Sequence, residues 1–318
     1  MNRKQLFNIL KVVVSLGLLT FIFSTLDLQA FLDSIRGANP WWLAAALAMV
    51  MLGVVTRAYR WQILLIAIGA SVPLAELVAI YFIGFLFNNL LPSGLGGDAV
   101  RMLEIRPYTQ EGSDTVTSVI VDRFLGLSAL QAIALLALLY DWEAVPIALA
   151  YFTVAIFLGG LVAGYLLINR RLYLMLQKRF ALFRRLTEIK IIGNLFESFQ
   201  RYPLPALGRS YLVALLFNVT WIGANFFIGL ALGANATLVQ YAVFVPITSL
   251  ALLIPISFAG LGVREEAYRQ MFGQVGVPPE TAVAMSLLVY FFGNICTGLI
   301  GGILYLLRSA RSVVSEKG

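Results

Sequence analysis

The chain contains no histidine and a single cysteine, Cys296, among its 318 residues. Without histidine there is no imidazole metal ligand, no Ser-His or Cys-His nucleophile pair and no histidine proton relay. One thiol allows neither an internal disulfide nor a thiolate zinc cluster, and Cys296 sits in an apolar stretch where it reads as packing. Neither a metal site nor a cofactor is expected. Charge is also scarce. Lys, Arg, Asp and Glu supply 12% of the residues, against about 25% in soluble domains. Hydrophobic side chains make up 60%, and mean hydropathy is +0.87. That leaves too little polar surface to cover a water-soluble particle of this size. The composition predicts an all-α polytopic membrane protein.

A spanning helix needs about 20 mostly apolar residues. Six segments meet this: Leu6–Phe23, Trp42–Thr56 running on toward Ile68, Ser118–Tyr140, Val145–Ile168, Leu207–Leu232 and Thr281–Leu307. No small-x-small cleavage site follows the first, which reads as a retained signal anchor. Two further stretches, Val72–Leu91 and Val239–Ile256, each run into a Pro, a Gly cluster and a short charged helix. The distribution of Lys and Arg decides whether they cross the bilayer. Residues 169–206 hold Arg170, Arg171, Lys178, Arg179, Arg184, Arg185, Lys190 and Arg201 against Glu188 and Glu197. This segment should be cytoplasmic, like the N-terminus with Arg3 and Lys4. It is so only if Val72–Leu91 breaks near Pro92–Gly97 and returns along Asp98–Arg106. The same reasoning makes residues 239–272 a re-entrant hairpin from the outer face and leaves the C-terminus in the cytoplasm.

The expectation is one transmembrane domain over residues 1–318, with about six full spans and re-entrant hairpins at 72–106 and 239–272. Hydropathy alone would allow six to eight spans. The net charge of +7 then reflects topology rather than nucleic-acid binding. Apolar Leu172, Leu176, Phe180, Phe183 and Leu186 alternate with the basic residues, as in a segment lying on the inner leaflet. Trp41, Trp42 and Trp142 fall at outer boundaries, where an aromatic belt belongs. Arg57 and Arg60, at the inner end of the second span, are expected to snorkel to the interface. Glu76 should reach it too.

The two breaks read Asn88-Asn89-Leu90-Leu91-Pro92-Ser93-Gly94-Leu95-Gly96-Gly97-Asp98-Ala99-Val100-Arg101 and Ile254-Pro255-Ile256-Ser257-Phe258-Ala259-Gly260-Leu261-Gly262-Val263-Arg264-Glu265. Each has an apolar run, a Pro, a Ser, Gly-Leu-Gly, and then an Arg and a carboxylate opening a new helix. This is a weak internal repeat whose copies have opposite orientations, a recurring transporter plan with the substrate site between the broken helices. Proline ends each incoming helix. Glycine lets backbone approach a ligand, and the returning helix offers N–H groups to an anion. Arg101 and Arg264 stand within a turn of those termini, where a guanidinium can grip phosphate through two parallel bonds. The alternative is that the glycines only let helices pack closely and the charges form internal ion pairs. Charge inside a membrane is expensive, which favours function for the arginines. Gly94–Ala99 formally matches a dinucleotide fingerprint, but no strand–helix–strand unit surrounds it. Asp122 and Arg123 are adjacent on one helix and should find different partners, with Arg101 or Arg264 open to Asp122.

At these residues the chain resembles the flippase-like family, also called the lysylphosphatidylglycerol synthase transmembrane region. Asn89, Pro92, Gly94, Gly96-Gly97-Asp98, Arg101, Asp122-Arg123, Pro255-Ile256-Ser257 and Gly260-Leu261-Gly262-Val263-Arg264-Glu265 carry the resemblance, which covers nearly the whole chain. It implies a multi-pass protein of a prokaryotic cytoplasmic (inner) membrane, linked to lipid modification or lipid-linked sugars; the loop charges put both termini in the cytoplasm. The larger synthases append a soluble aminoacyl-transfer domain. This sequence stops at Gly318, so lipid aminoacylation is not expected of it, nor is enzyme activity. The leading expectation is a lipid transporter that binds an anionic headgroup, phospholipid or polyprenyl phosphate, between the hairpins. Arg101, Arg264 and Arg123 would meet phosphate, with Asp98, Asp122 and Glu265 orienting them. Asn89, Ser257 and Gly94, Gly96, Gly97, Gly260 and Gly262 complete the candidate site. The rival is a scaffold for a membrane lipid or polysaccharide synthase, held through the basic segment.

Overall fold

A computed structural model of the chain describes residues 3–90, 96–109, 112–188, 190–253 and 257–315, which form helices and no strands. Pro92 and Pro255, expected to end the incoming helices of the hairpins, lie outside the described residues. Helix α1 (Arg3–Thr25) turns through 92° into α2 (Leu28–Arg36), and α3 (Pro40–Ala67) follows. Asp27 stops the first run by capping α2, its carboxylate accepting from the N–H groups of Gln29 and Ala30 at 2.9 and 3.1 Å. α2 buries Phe31 and exposes Leu28, Leu32 and Ile35. Its broad apolar face suits a helix lying flat at a membrane surface.

After α3 come α4 (Leu74–Leu90), α5 (Gly96–Ile105), α6 (Gly112–Tyr140) and α7 (Ile147–Ile168). Three short helices, α8 (Arg170–Arg179), α9 (Ala181–Thr187) and α10 (Lys190–Gln200), lead to α11 (Leu204–Ala231). The chain ends with α12 (Leu238–Ala251), α13 (Val263–Gly273), α14 (Pro279–Tyr290), a π-helical turn (Phe291–Cys296) and α15 (Thr297–Ser315). Five helical stretches are long and apolar enough to cross a bilayer: α3, α6, α7, α11 and the continuous run from α14 into α15; α1 and α2 would make a sixth only if the bent pair counts as one span.

The internal repeat is visible in how the helices end. α3 and α11 are both 28 residues long. Each stops at a left-handed glycine, Gly69 (φ 83°) or Gly233 (φ 70°). In each case the next N–H reaches back five residues, Ala70 to the Leu65 carbonyl and Ala234 to that of Gly229, both at 2.9 Å. That is a Schellman stop, and only glycine adopts its conformation without strain. A short helix follows both times, then a break and a second short helix.

The copies run in opposite directions. The Asn39 N–H, before α3, donates to the Ala231 carbonyl at the end of α11 at 2.8 Å. At the other end the Ser210 hydroxyl of α11 meets the Arg60 carbonyl of α3 at 3.5 Å. α3 and α11 thus pack antiparallel and form the most extensive helix pair.

Both short-helix pairs fold back on themselves. Arg308 of α15 bridges Glu76 at the start of α4 (2.9 Å) and Glu104 at the end of α5 (3.4 Å), so the feet of the first hairpin lie together. In the second, Tyr241 and Phe244 near the start of α12 pack on Phe272 near the end of α13, with ring centroids 4.8 and 5.1 Å apart. The feet of this pair sit at the opposite end of the bundle, where Gln240 Nε2 donates to the Ala144 carbonyl at 3.0 Å.

The end carrying the first hairpin's feet is the basic one. Arg170, Arg171, Lys178, Arg179, Arg184 and Arg185 are all exposed there. α8 and α10 do not rest on lipid with their whole apolar face. Tyr173 stacks on Phe196 at 3.5 Å, and Phe183 joins the same cluster with Phe199 and Tyr202. Phe180, Leu174 and Met175 remain outward.

Candidate functional site

The two hairpins meet α3, α6 and α11 around a cavity of about 390 Å³. Its charged wall begins with Asp122 of α6, which is 1% exposed. Oδ1 of Asp122 accepts from Arg60 Nε of α3 at 2.6 Å. Oδ2 accepts from Arg101 Nη2 of α5 and from the Tyr81 hydroxyl of α4, each at 3.1 Å. Arg101 also reaches Asp98 one turn earlier at 3.3 Å, and Asp98 in turn pairs with Arg123. Adjacent Asp122 and Arg123 thus take separate partners.

Local sequence sets this geometry. A Cβ at Gly97 would come within 2.6 Å of the Gly84 carbonyl oxygen, so this glycine lets α5 press against α4. The Gly97 N–H is bound by the Asn88 side chain at 2.7 Å. A Cβ at Gly126 would lie 2.7 Å from Arg60 Nη1, so that glycine leaves room for the guanidinium on its way to Asp122. Asn218 of α11 donates to the Gly126 carbonyl at 3.0 Å.

The guanidiniums also rest on rings. Arg101 lies 4.1 Å from the Trp61 centroid and 4.2 Å from that of Tyr81. Arg57 sits 4.8 Å from Phe217, and Arg264 lies 4.5 Å from Tyr290. A cation over an aromatic face is stabilised where water is scarce.

Arg264 comes from the second hairpin, 6% exposed, with Nε 3.6 Å from Glu265. Glu265 is fully buried and looks away from the cavity. It accepts from the Gly262 N–H at 2.6 Å and the Ser286 hydroxyl at 2.9 Å. Gly262 takes φ 84° and Gly260 φ 79°, conformations that hold the turn into α13. Tyr268 ties α13 to α11 through a hydrogen bond to Asn225.

Gly97, Asp98, Arg101, Asp122, Arg123 and Arg264 line the cavity. Gly96, Gly260, Gly262 and Glu265 sit behind the wall as packing and turn residues. Asn89 instead donates to the Asn294 carbonyl at 2.7 Å, pinning the π-helical turn, and Ser257 is buried away from the cavity. Gly94 lies outside the described residues. Two expectations change. Neither Arg57 nor Arg60 snorkels: Arg57 lines the cavity over Phe217, and Arg60 is 2% exposed and paired with Asp122, because α3 continues to Ala67. The Gly97 and Gly262 N–H groups are not free for an anion, since Asn88 and Glu265 hold them.

Sequence reasoning missed Arg57, Tyr81, Asn88 and Phe217 on the wall, and Trp61 beneath Arg101. The available signal was the spacing of Arg57, Arg60 and Trp61, which places all three on neighbouring turns of one helix.

Five arginines (Arg57, Arg60, Arg101, Arg123 and Arg264) face two aspartates (Asp98 and Asp122) on this wall. The wall is a positively charged chamber inside an apolar helical bundle, formed by two broken hairpins of opposite orientation. The fold is that of a polytopic α-helical membrane protein built on an inverted repeat. The chain belongs to the family described as the lysylphosphatidylglycerol synthase TM region, whose model matches residues 8–301. It is similar to a UPF0104 membrane protein of Pyrococcus horikoshii, 23% identical over 96% of this chain and 98% of that one. A UPF0104 membrane protein of Methanothermobacter thermautotrophicus is 24% identical over 87% of each.

Proposed function

We propose that the protein moves or presents a lipid by binding its anionic headgroup in the chamber between the hairpins, without catalysing a chemical step. The supporting observation is the excess of guanidinium over carboxylate on a buried wall. Buried positive charge without a counter-ion is costly, and an anion that enters relieves it. The bilayer orientation we propose puts the basic end, with both termini, on the cytoplasmic side, as the loop arginines favour. The first hairpin would then be re-entrant from the cytoplasm and the second from outside.

Arg264→Lys tests the reading. Lysine keeps the charge but loses the planar fork, and no aspartate depends on Arg264. Movement of headgroup-labelled anionic lipid in proteoliposomes should fall by about tenfold, as loss of a charge-assisted bond implies, while the melting temperature stays near wild type. Full retention of lipid movement and binding would refute the phosphate grip. Should wild type move no lipid, while Arg184→Ala with Arg185→Ala abolishes recovery of a membrane synthase, the scaffold reading replaces it.

A further inference from the structure

Two means by which proteins hold an ammonium group are already largely occupied in this chamber. The first is carboxylate. Asp122 is shared by Arg60, Arg101 and Tyr81, Asp98 by Arg101 and Arg123, and Glu265 is turned away onto Gly262 and Ser286. The second is the aromatic face. Guanidiniums lie over Trp61, Tyr81, Phe217 and Tyr290, and of the lining rings Trp221 carries no cation among the described residues. Donors, by contrast, are in surplus. Arg57 Nε, Arg101 Nε and Arg264 Nη2 are buried without a hydrogen-bond acceptor among the described residues. Arg57 has no carboxylate partner among them. Beyond these groups the lining turns apolar, with Met49, Val50, Leu127, Leu130 and Leu252.

A phosphodiester carries one negative charge and offers two non-bridging oxygens. A phosphomonoester carries about −1.5 to −2 near neutral pH and offers three strong acceptor oxygens. An aminoacylated phosphatidylglycerol bearing lysine sets one phosphate charge against two ammonium groups and is a net cation. We infer that the chamber selects a lipid ending in a phosphomonoester over phosphodiester lipids, and rejects the lysylated lipid that the family description mentions. The inference rests on the anionic-headgroup reading and narrows it. Spare guanidinium donors receive the terminal oxygens, and the apolar lining receives the start of the hydrocarbon chain.

The test is ligand titration of the full chain in neutral detergent, followed by native mass spectrometry and by tryptophan fluorescence, since Trp221 lines the cavity. The probes are phosphatidic acid, phosphatidylglycerol, lysyl-phosphatidylglycerol, inorganic phosphate and a short alkyl phosphate. At pH 7.5 phosphatidic acid should bind at least about tenfold tighter than phosphatidylglycerol, with the lysylated lipid weakest. At pH 5.5 that preference should shrink, because the second phosphate ionisation lies near pH 6. The charged and titratable groups around the chamber are Arg57 and Arg60 from α3, Tyr81 from α4, Asp98 and Arg101 from α5, Asp122 and Arg123 from α6, and Arg264 from α13, with Glu265 and Tyr290 behind. Side chains of these types ordinarily titrate outside this window, and the chain has no histidine.

Arg57→Gln strands no carboxylate, so it should fold and lower the preference for phosphatidic acid severalfold. Arg184→Gln with Arg185→Gln, remote on the basic end, should leave it unchanged. Equal affinity for phosphatidic acid and phosphatidylglycerol at pH 7.5 would overturn the monoester assignment and leave the anionic-headgroup reading standing. Tightest binding of the lysylated lipid would overturn both. Inorganic phosphate or alkyl phosphate binding as tightly as phosphatidic acid would remove the lipid from the assignment. An unaltered preference in Arg57→Gln would also overturn it.

Discussion

Replacing Asp122 by Asn should be strongly destabilising although it is isosteric. The substitution keeps the side-chain shape but removes the charge that two buried guanidiniums share, those of Arg60 (2% exposed) and Arg101 (5% exposed). Asn also presents an NH₂ group where one of the two oxygens accepted. Breaking a buried pair by removing one partner costs about 3–5 kcal/mol. Arg60 suffers most, because its 2.6 Å bond to Asp122 is its one ion pair among the described residues. For domains of 150–250 residues each kcal/mol moves the midpoint by about 2–4 °C, so the melting temperature in detergent should fall by on the order of 10 °C. Asp114→Asn is the control. That carboxylate pairs with Arg201 at 2.8 Å, but the Arg201 side chain is 42% exposed. Such a pair contributes about 0–1 kcal/mol. Adding Arg60→Met to Asp122→Asn should recover part of the loss, since one stranded cation is then gone. If Asp122→Asn melts within about 3 °C of wild type, or Asp114→Asn falls as far, the buried network is not what holds α3, α5 and α6 together.

Other outcomes follow from particular contacts. A Cβ at Gly301 would run into the Phe82 backbone carbonyl, so Gly301→Ala should push α15 off α4 and cost about 1–3 kcal/mol, seen as a lower denaturation midpoint. Arg308→Ala should cost little stability, because Glu76 and Glu104 are about one-third exposed. It should nevertheless speed amide exchange in α5 by several-fold, measured by hydrogen–deuterium mass spectrometry. With Cys296 replaced, a cysteine at exposed Arg185 should be protected from an impermeant thiol reagent in intact cells, and one at exposed Gln274 should react. Labelling at Arg185 would reverse the proposed orientation.

Much of the architecture was legible because its cause is local. Apolar runs of bilayer length mark α3, α6, α7 and α11, and the second Gly-Leu-Gly string marks the turn into α13. The different fates of Asp122 and Arg123 follow from adjacency on a helix. Arg60 was not legible for a physical reason. A charge near the end of an apolar run looks like the edge of the membrane until its counter-ion is known, and Asp122 lies 62 residues away. Arg57 was obscured similarly, since what it rests on, Phe217, belongs to the other copy of the repeat. Asn89 reads in sequence like a ligand group beside the glycines. Its contact, the Asn294 carbonyl at 2.7 Å, arises only because the π-helical turn brings that residue to the hairpin.

The antiparallel pair of α3 and α11 has a consequence for motion. Arg57 and Arg60 project from this pair, whereas Arg101 and Arg264 arrive on hairpins rooted at opposite ends of the bundle. Swinging one hairpin outward would withdraw one guanidinium and leave the other four on the wall. On the proposed reading the pair would be a fixed post between two hairpins rooted apart. A headgroup at the centre would then keep the counter-charge of Arg57 and Arg60 whichever hairpin moved.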